Sequence, residues 1–219
     1  MFDISLGKII WTFYAHETEI NSLYYDENNK NIISCTNKGI IHVYDFKRKS
    51  TIPYISHFLF DENNIISTDY NSENKFFYSL GENGNINIIN IFDNEEIYNY
   101  SIDMNRNKPN SISANLNNLN QFIIGFEKGF KIFDVRNFSC VEDWTNDLDL
   151  KVKICIIDKS DVLIQNEFGL ILYDYKEKKK IGERILKNEI EFFKFINVKK
   201  GDTKIVYGDQ KGNVSYSMN

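Results

Sequence analysis

The chain has 219 residues, of which 42% are hydrophobic and 26% charged, with a formal net charge of -5. That balance supports a packed core and excludes wholesale disorder. The mild acidity argues against a protein that lives mainly on phosphate contacts, and no run approaches the ~18 apolar residues of a membrane-spanning helix. Aromatic residues reach 15%, with 17 Phe and 13 Tyr, side chains that suit a pleated, half-buried surface. The three cysteines, Cys35, Cys140 and Cys155, are odd in number and far apart, which predicts reduced thiols rather than a disulfide framework. The opening stretch MFDISLGKIIWTFYAHE lacks a basic n-region and reads as no signal peptide.

Along the chain one plan recurs. An alternating apolar run is followed by a polar turn, a second run, a tight turn with glycine, and a third run ending in an aromatic or Ile and then Asp or Asn. Phe2-Asp3 reads as the end of such a unit. Five units follow, over about 7–45, 52–90, 97–134, 139–174 and 180–218 within one domain spanning 1–219. Their turn glycines are Gly39, Gly84, Gly129, Gly169 and Gly212, spaced by 45, 45, 40 and 43 residues. Glycine suits each turn because a hairpin loop needs positive φ, which it adopts without Cβ strain. In Ile40–Tyr44 the period is two: residues 41 and 43 face one way and 40, 42 and 44 the other. Gly7 to Phe13, Glu96 to Ile102 and Lys180 to Ile185 are read as fourth strands supplied by the linkers. Glu183 to Ile196 has some helical spacing, but Phe193 and Phe195 alternate as in a strand. A period of 40–45 residues with several short strands predicts an all-β propeller.

The chain resembles the WD40-repeat family over essentially its whole length. The dipeptides that carry this are Tyr44-Asp45, Ile89-Asn90, Phe133-Asp134 and Tyr173-Asp174, with Ala15-His16 where the family has Gly-His. The resemblance implies a WD40-like β-propeller with five recognisable four-stranded blades, either closed by Gly7 to Phe13 joining the last blade, or incomplete or open. The departures are real. No unit has Trp before the Asp, and Lys38, Asn83, Lys128, Phe168 and Lys211 replace the acid before the turn glycine. The hydrogen-bonded tetrad of typical blades is therefore expected to be mostly absent, with His16 and Ser34 as its remnant. Stretches such as AHETEINSLYYDEN and GIIHVYD resemble the WD repeat-containing protein 55 family. That implies a nuclear or nucleolar scaffold in ribosome biogenesis, with some members linked to cullin-4 ubiquitin ligases.

The search for chemistry is negative. The three histidines, His16, His42 and His57, form no zinc or H-E-x-x-H pattern, the cysteines form no C-x-x-C, and there is no phosphate loop or nucleophile elbow. No enzymatic activity, metal or cofactor is expected. Phe133-Asp134-Val135-Arg136 resembles the box by which some WD40 adaptors dock onto the cullin-4 linker protein, so Phe133, Asp134 and Arg136 are candidate docking residues. The alternative is a local pair between Arg136 and an acid. Lys178, Lys179 and Lys180 are a candidate basic contact to RNA, or else a solvated hairpin turn. Trp11, Trp144, Tyr24 and Tyr25 are expected to pack in the core or at its edge. The partners expected are proteins of a multi-subunit complex, a preribosomal particle among them, and no membrane. The alternatives are a cullin-4 substrate adaptor, and a coat or nuclear-pore subunit; the alternative compartment is the cytoplasm.

Overall fold

The structure is a computed structural model. It describes all residues except 1, 4, 13–15, 49–50, 59–63, 94, 104–106, 116–117, 146–151, 157–160, 167–168, 186–189, 200–201, 210, 212 and 218–219. The described residues form strands and turns with no helix, so no helix is long and apolar enough to cross a membrane. Cα proximity divides the chain into two compact units, Met1–Met104 and Asn105–Asn219.

The first unit begins with a two-stranded hairpin. Strand β1 (Phe2–Asp3) pairs with β2 (Lys8–Ile9), Phe2 opposite Ile9 and Asp3 opposite Lys8. A four-stranded antiparallel sheet follows: β3 (Ile20–Asp26), β4 (Asn31–Thr36), β5 (Ile40–Asp45) and β6 (Ile55–Phe58), paired in that order. The second sheet repeats it with β7 (Ile65–Asn71), β8 (Phe76–Gly81), β9 (Asn85–Asn90) and β10 (Glu95–Ser101). Alternation works as expected on β5, where Ile41 and Val43 are fully buried. Tyr44, on the opposite face, is buried as well.

The two sheets share one core. Ile33, Cys35, Ile41 and Val43 of the first pack with Ile65, Tyr70, Phe77, Ile89 and Ile91 of the second unit of strands. Each large apolar side chain so buried contributes about 1.5–3 kcal/mol. A polar seam runs beside it. The Tyr24 hydroxyl donates to the Thr68 carbonyl at 2.6 Å, and the Thr68 hydroxyl donates to Ser22 Oγ at 2.6 Å. Tyr70 donates to the buried Asp26 carboxyl at 2.9 Å, which also accepts from the Asn29 backbone and side-chain amides. Burial pushes the phenols of Tyr24 and Tyr70 far above their ordinary range.

Among the described residues the second unit holds three sheets. β11 (Pro109–Ala114), β12 (Gln121–Phe126), β13 (Phe130–Asp134) and β14 (Cys140–Asp143) form one. β15 (Lys153–Ile156), β16 (Asp161–Asn166), β17 (Gly169–Asp174) and β18 (Lys179–Ile185) form the next. β19 (Ile190–Lys199), β20 (Asp202–Asp209) and β21 (Val214–Ser217) form the last. Ile123, Phe130, Ile132 and Trp144 pack with Val152, Val162, Ile164 and Tyr175 in its core. The stretch read between helix and strand, Glu183 to Ile196, thus holds the end of β18 and most of β19.

One expectation is corrected. The fifth sheet has three strands among the described residues rather than four. Among the described residues of the Gly7 to Phe13 segment the strand is Lys8–Ile9, and it pairs with β1; joining the last blade was one of the alternatives open for it. The repeats of the sequence and the sheets of the structure are also out of phase by one strand. The unit over 52–90 holds β6, the outer strand of one sheet, and β7 to β9, three strands of the next.

Candidate docking surface

The turns explain the two residue types that mark each repeat. In the first three sheets the loop between second and third strands has three residues and ends in glycine at positive φ: Gly39 at 77°, Gly84 at 83° and Gly129 at 70°. The amides of Gly39 and Gly84 donate to the carbonyls of Thr36 and Gly81, closing a turn before the left-handed residue. Gly169 departs from them. It has a φ of 151° and already belongs to β17, opposite Asn166. Gly212 lies outside the described residues, as do Ala15, Phe168 and Lys187.

The acid or amide that ends the third strand has a local task that sequence reading did not identify. Oδ1 of Asp3, Asp45, Asn90, Asp134 and Asp174 accepts the backbone N–H two residues on, from Ser5, Lys47, Phe92, Arg136 and Lys176, at 2.8–3.1 Å. A short carboxylate or amide that folds back this way holds the turn to the outer strand. Asp3 does the same before β2, so β1 and β2 carry the geometry of a third and fourth strand.

The candidate docking residues separate. Phe133 is buried, stacked on Phe122 with ring centres 5.4 Å apart. Asp134 is buried as the turn cap. Arg136 has a 68% exposed side chain and grips Asp134 through Nε and a terminal nitrogen, at 3.0 and 2.5 Å. These bonds hold the Asp134 carboxyl below its ordinary range. Of the three, Arg136 alone presents its side chain to solvent.

The basic residues Lys178, Lys179 and Lys180 are all exposed, at and just after the turn between β17 and β18. Lys178 takes the left-handed conformation with φ 52°. Lys180 pairs with Glu183, which offsets part of the local charge.

His16 and Ser34 meet as expected, His16 Nε2 lying 2.7 Å from Ser34 Oγ. His42 stacks on His16 with ring centres 4.3 Å apart, and its Nδ1 lies 3.1 Å from the Tyr44 hydroxyl. Desolvation lowers the pKa of both imidazoles, and for His16 the neighbouring His42 adds to it. Elsewhere the replaced acids find other contacts: Lys38 donates to Asn64 at 2.7 Å, and Asn83 accepts from the Asn85 amide at 3.0 Å. Among the described residues no group of three or more His, Cys, Asp or Glu could hold a metal ion.

Trp11 and Trp144 are buried, and Tyr24 is half-buried. Tyr25 packs at the edge, its ring 5.5 Å from that of Phe46, and is 50% exposed, together with Leu23 at 61% and Ile20 at 52%, all on β3. Sequence reading missed this apolar stripe. Its signal was Leu23, which stands on a first strand where the next repeat has the polar Thr68.

No protein-family model and no curated protein matches the chain. Solved structures do. The β-propeller domain of Myceliophteria thermophila Cps50 (Swd1) is 12% identical, with a TM-score of 0.74 over 93% of this chain and 66% of that one. The WD40 repeats of RRP9 are 13% identical, with a TM-score of 0.74 over 94% of this chain and 62% of that one. The computationally designed Ika8 protein is 13% identical, with a TM-score of 0.64 over all of this chain and 64% of that one. The chain therefore spans about two thirds or less of the length of these structures, and its fold is that of a WD40 β-propeller.

Proposed function

We propose that the chain is a non-enzymatic scaffold that holds other proteins in a multi-subunit assembly. The observation that carries this reading is the exposed apolar stripe Ile20, Leu23 and Tyr25, presented by a strand within a regular sheet rather than by a mobile loop. Exposed aromatic and aliphatic groups on a rigid frame supply contact area at little ordering cost. The WD40 fold of the solved neighbours fits the same reading. Ribosome assembly, in the nucleus or nucleolus, is the process proposed; its support is the resemblance of the repeats to the WD repeat-containing protein 55 family.

A second reading is an adaptor role in a cullin-4 ubiquitin ligase. The exposed Arg136, held in a fixed orientation by Asp134, favours it. Affinity purification of the tagged full chain with mass spectrometry separates the readings. Preribosomal factors support the first, and the cullin linker protein, lost on Arg136→Ala, supports the second. Coat or nuclear-pore subunits would replace both, and purification of the chain alone would remove the scaffold reading.

A further inference from the structure

The residues described between β2 and β3, 10–12 and 16–19, belong to no strand, and a pair of imidazoles holds their far end on the first sheet. His16 lies four residues before β3. Its Nε2 is 2.7 Å from the Oγ of Ser34, a fully buried residue of β4. Its ring lies flat on that of His42 of β5, with centres 4.3 Å apart and planes 13° from parallel. His42 stands opposite Ser34 in the ladder, and its Nδ1 is 3.1 Å from the Tyr44 hydroxyl. The segment is also tied by the Asn37 amide, which donates to the Glu19 carbonyl at 3.1 Å.

The groups that face the two rings are uncharged. β4 offers the Ser34 hydroxyl, β5 the Tyr44 hydroxyl, and β6 places Ser56 opposite His42. Among the described residues neither ring has a carboxylate beside it. Glu17 and Glu19, on the segment itself, are exposed, and Lys38, in the turn after β4, reaches Asn64. The Nδ1 of His16 is buried and has no hydrogen-bond partner among the described residues. A neutral ring with its proton on Nε2, donated to Ser34, leaves Nδ1 as a bare lone pair. An imidazolium carries N–H on both nitrogens, so one buried donor would go unmatched. Protonating both rings would also set two cations face to face with no anion to offset them.

We propose that the His16–His42 stack is a proton-operated latch, which holds the segment before β3 on the first sheet while both rings are neutral and releases it when they take up protons. Release takes His16 off Ser34 and exchanges the bond between Asn37 and Glu19 for water. The sheet itself stays paired, because its ladder bonds carry no titrating group. Desolvation keeps the pKa of both rings below the ordinary 6.5, so the latch is shut above that pH and opens as pH falls below it. The device works whatever the chain binds, and it does not depend on the scaffold reading.

Amide hydrogen exchange of the full chain, read by NMR at pH 7.5 and 5.5 and corrected for the intrinsic rate, tests this. The reporter is the Asn37 amide. The control is the Glu82 amide, which donates to the Asn64 carbonyl at 2.9 Å in the equivalent place of the second sheet, where no histidine stands in the preceding stretch. At pH 5.5 each imidazole of ordinary pKa favours the open form by up to about tenfold, so protection at Asn37 should fall by about tenfold or more while Glu82 keeps its own. His42→Phe leaves an aromatic face under His16 with one proton fewer to bind, and should roughly halve that fall on a logarithmic scale. Equal protection of Asn37 at both pH values overturns the inference. A loss shared by Asn37 and Glu82 does so too, because the whole unit would then be unfolding, and so does an undiminished fall in His42→Phe. Should that variant not fold, the two amides of the parent chain still decide.

Discussion

Replacing Gly129 by alanine should be the most damaging single-methyl change in the second unit. Its φ of 70° is one that residues with a Cβ adopt at a cost of about 1–2 kcal/mol. A Cβ there would sit 2.0 Å from the Trp144 carbonyl oxygen and 2.8 Å from the Thr145 Cα. Both are backbone atoms, so relief requires moving the Trp144 main chain. That chain is held by the bond from the Trp144 amide to the Phe130 carbonyl at 2.8 Å, and by the indole stacked on Phe130 at 5.4 Å. Displacing such packing adds about 1–3 kcal/mol. The total is about 3 kcal/mol, which for a chain of this size lowers the melting temperature by roughly 6–12 °C. Two comparisons isolate the causes. Gly7→Ala has positive φ but nothing within 4 Å, so it should lose only the conformational part, about 1–2 kcal/mol. Gly182→Ala has neither constraint and should stay within about 0.5 kcal/mol of the parent. Thermal unfolding followed by circular dichroism reads the series. A Gly129→Ala protein melting alongside Gly182→Ala would refute the assigned contact with Trp144.

Acid should weaken the first unit through its stacked histidines. Their folded pKa values lie below the ordinary 6.5, so the fold prefers them neutral; stability is full above that pH and declines as pH falls below it. Urea midpoints at pH 7.5 and 5.5 should converge in the His16→Gln, His42→Gln double variant, and an unchanged gap would exclude the pair as the cause. Tyr70→Phe leaves the buried Asp26 carboxyl without one of its donors and should reduce stability by about 1–3 kcal/mol in urea titration; no measurable loss would show that water replaces the phenol. Thiol labelling at pH 8 should modify Cys140, which is exposed, well before Cys35, which is fully buried with its thiol pushed up to about 12. Equal rates would contradict the packing of β4.

What could be read without coordinates was whatever repeats locally. The three-residue loops ending at Gly39, Gly84 and Gly129 need a left-handed residue wherever they occur, so their spacing exposes the sheets. His16 with Ser34 was legible because each stands at a repeat position, and the structure joins them at 2.7 Å. The docking residues were less legible. Phe133 and Arg136 are neighbours in sequence, but one is turned into a stack of phenylalanines and the other outward, a distinction set by pleat and turn rather than by composition. Tyr25 and Tyr70 show the limit most clearly. The same residue at the same register is exposed in one sheet and buried in the next, because burial depends on the neighbouring sheet. Gly169 shows another: it stands at a repeat position like its counterparts but belongs to β17 itself, with a different φ.

The one-strand offset between repeat and sheet works like the overlap of courses in brickwork. A duplicated or deleted repeat exchanges an outer strand on one side for three strands on the other, leaving every remaining sheet whole. Length can thus change by single copies without breaking a ladder, whereas a cut between sheets would strand half of each seam.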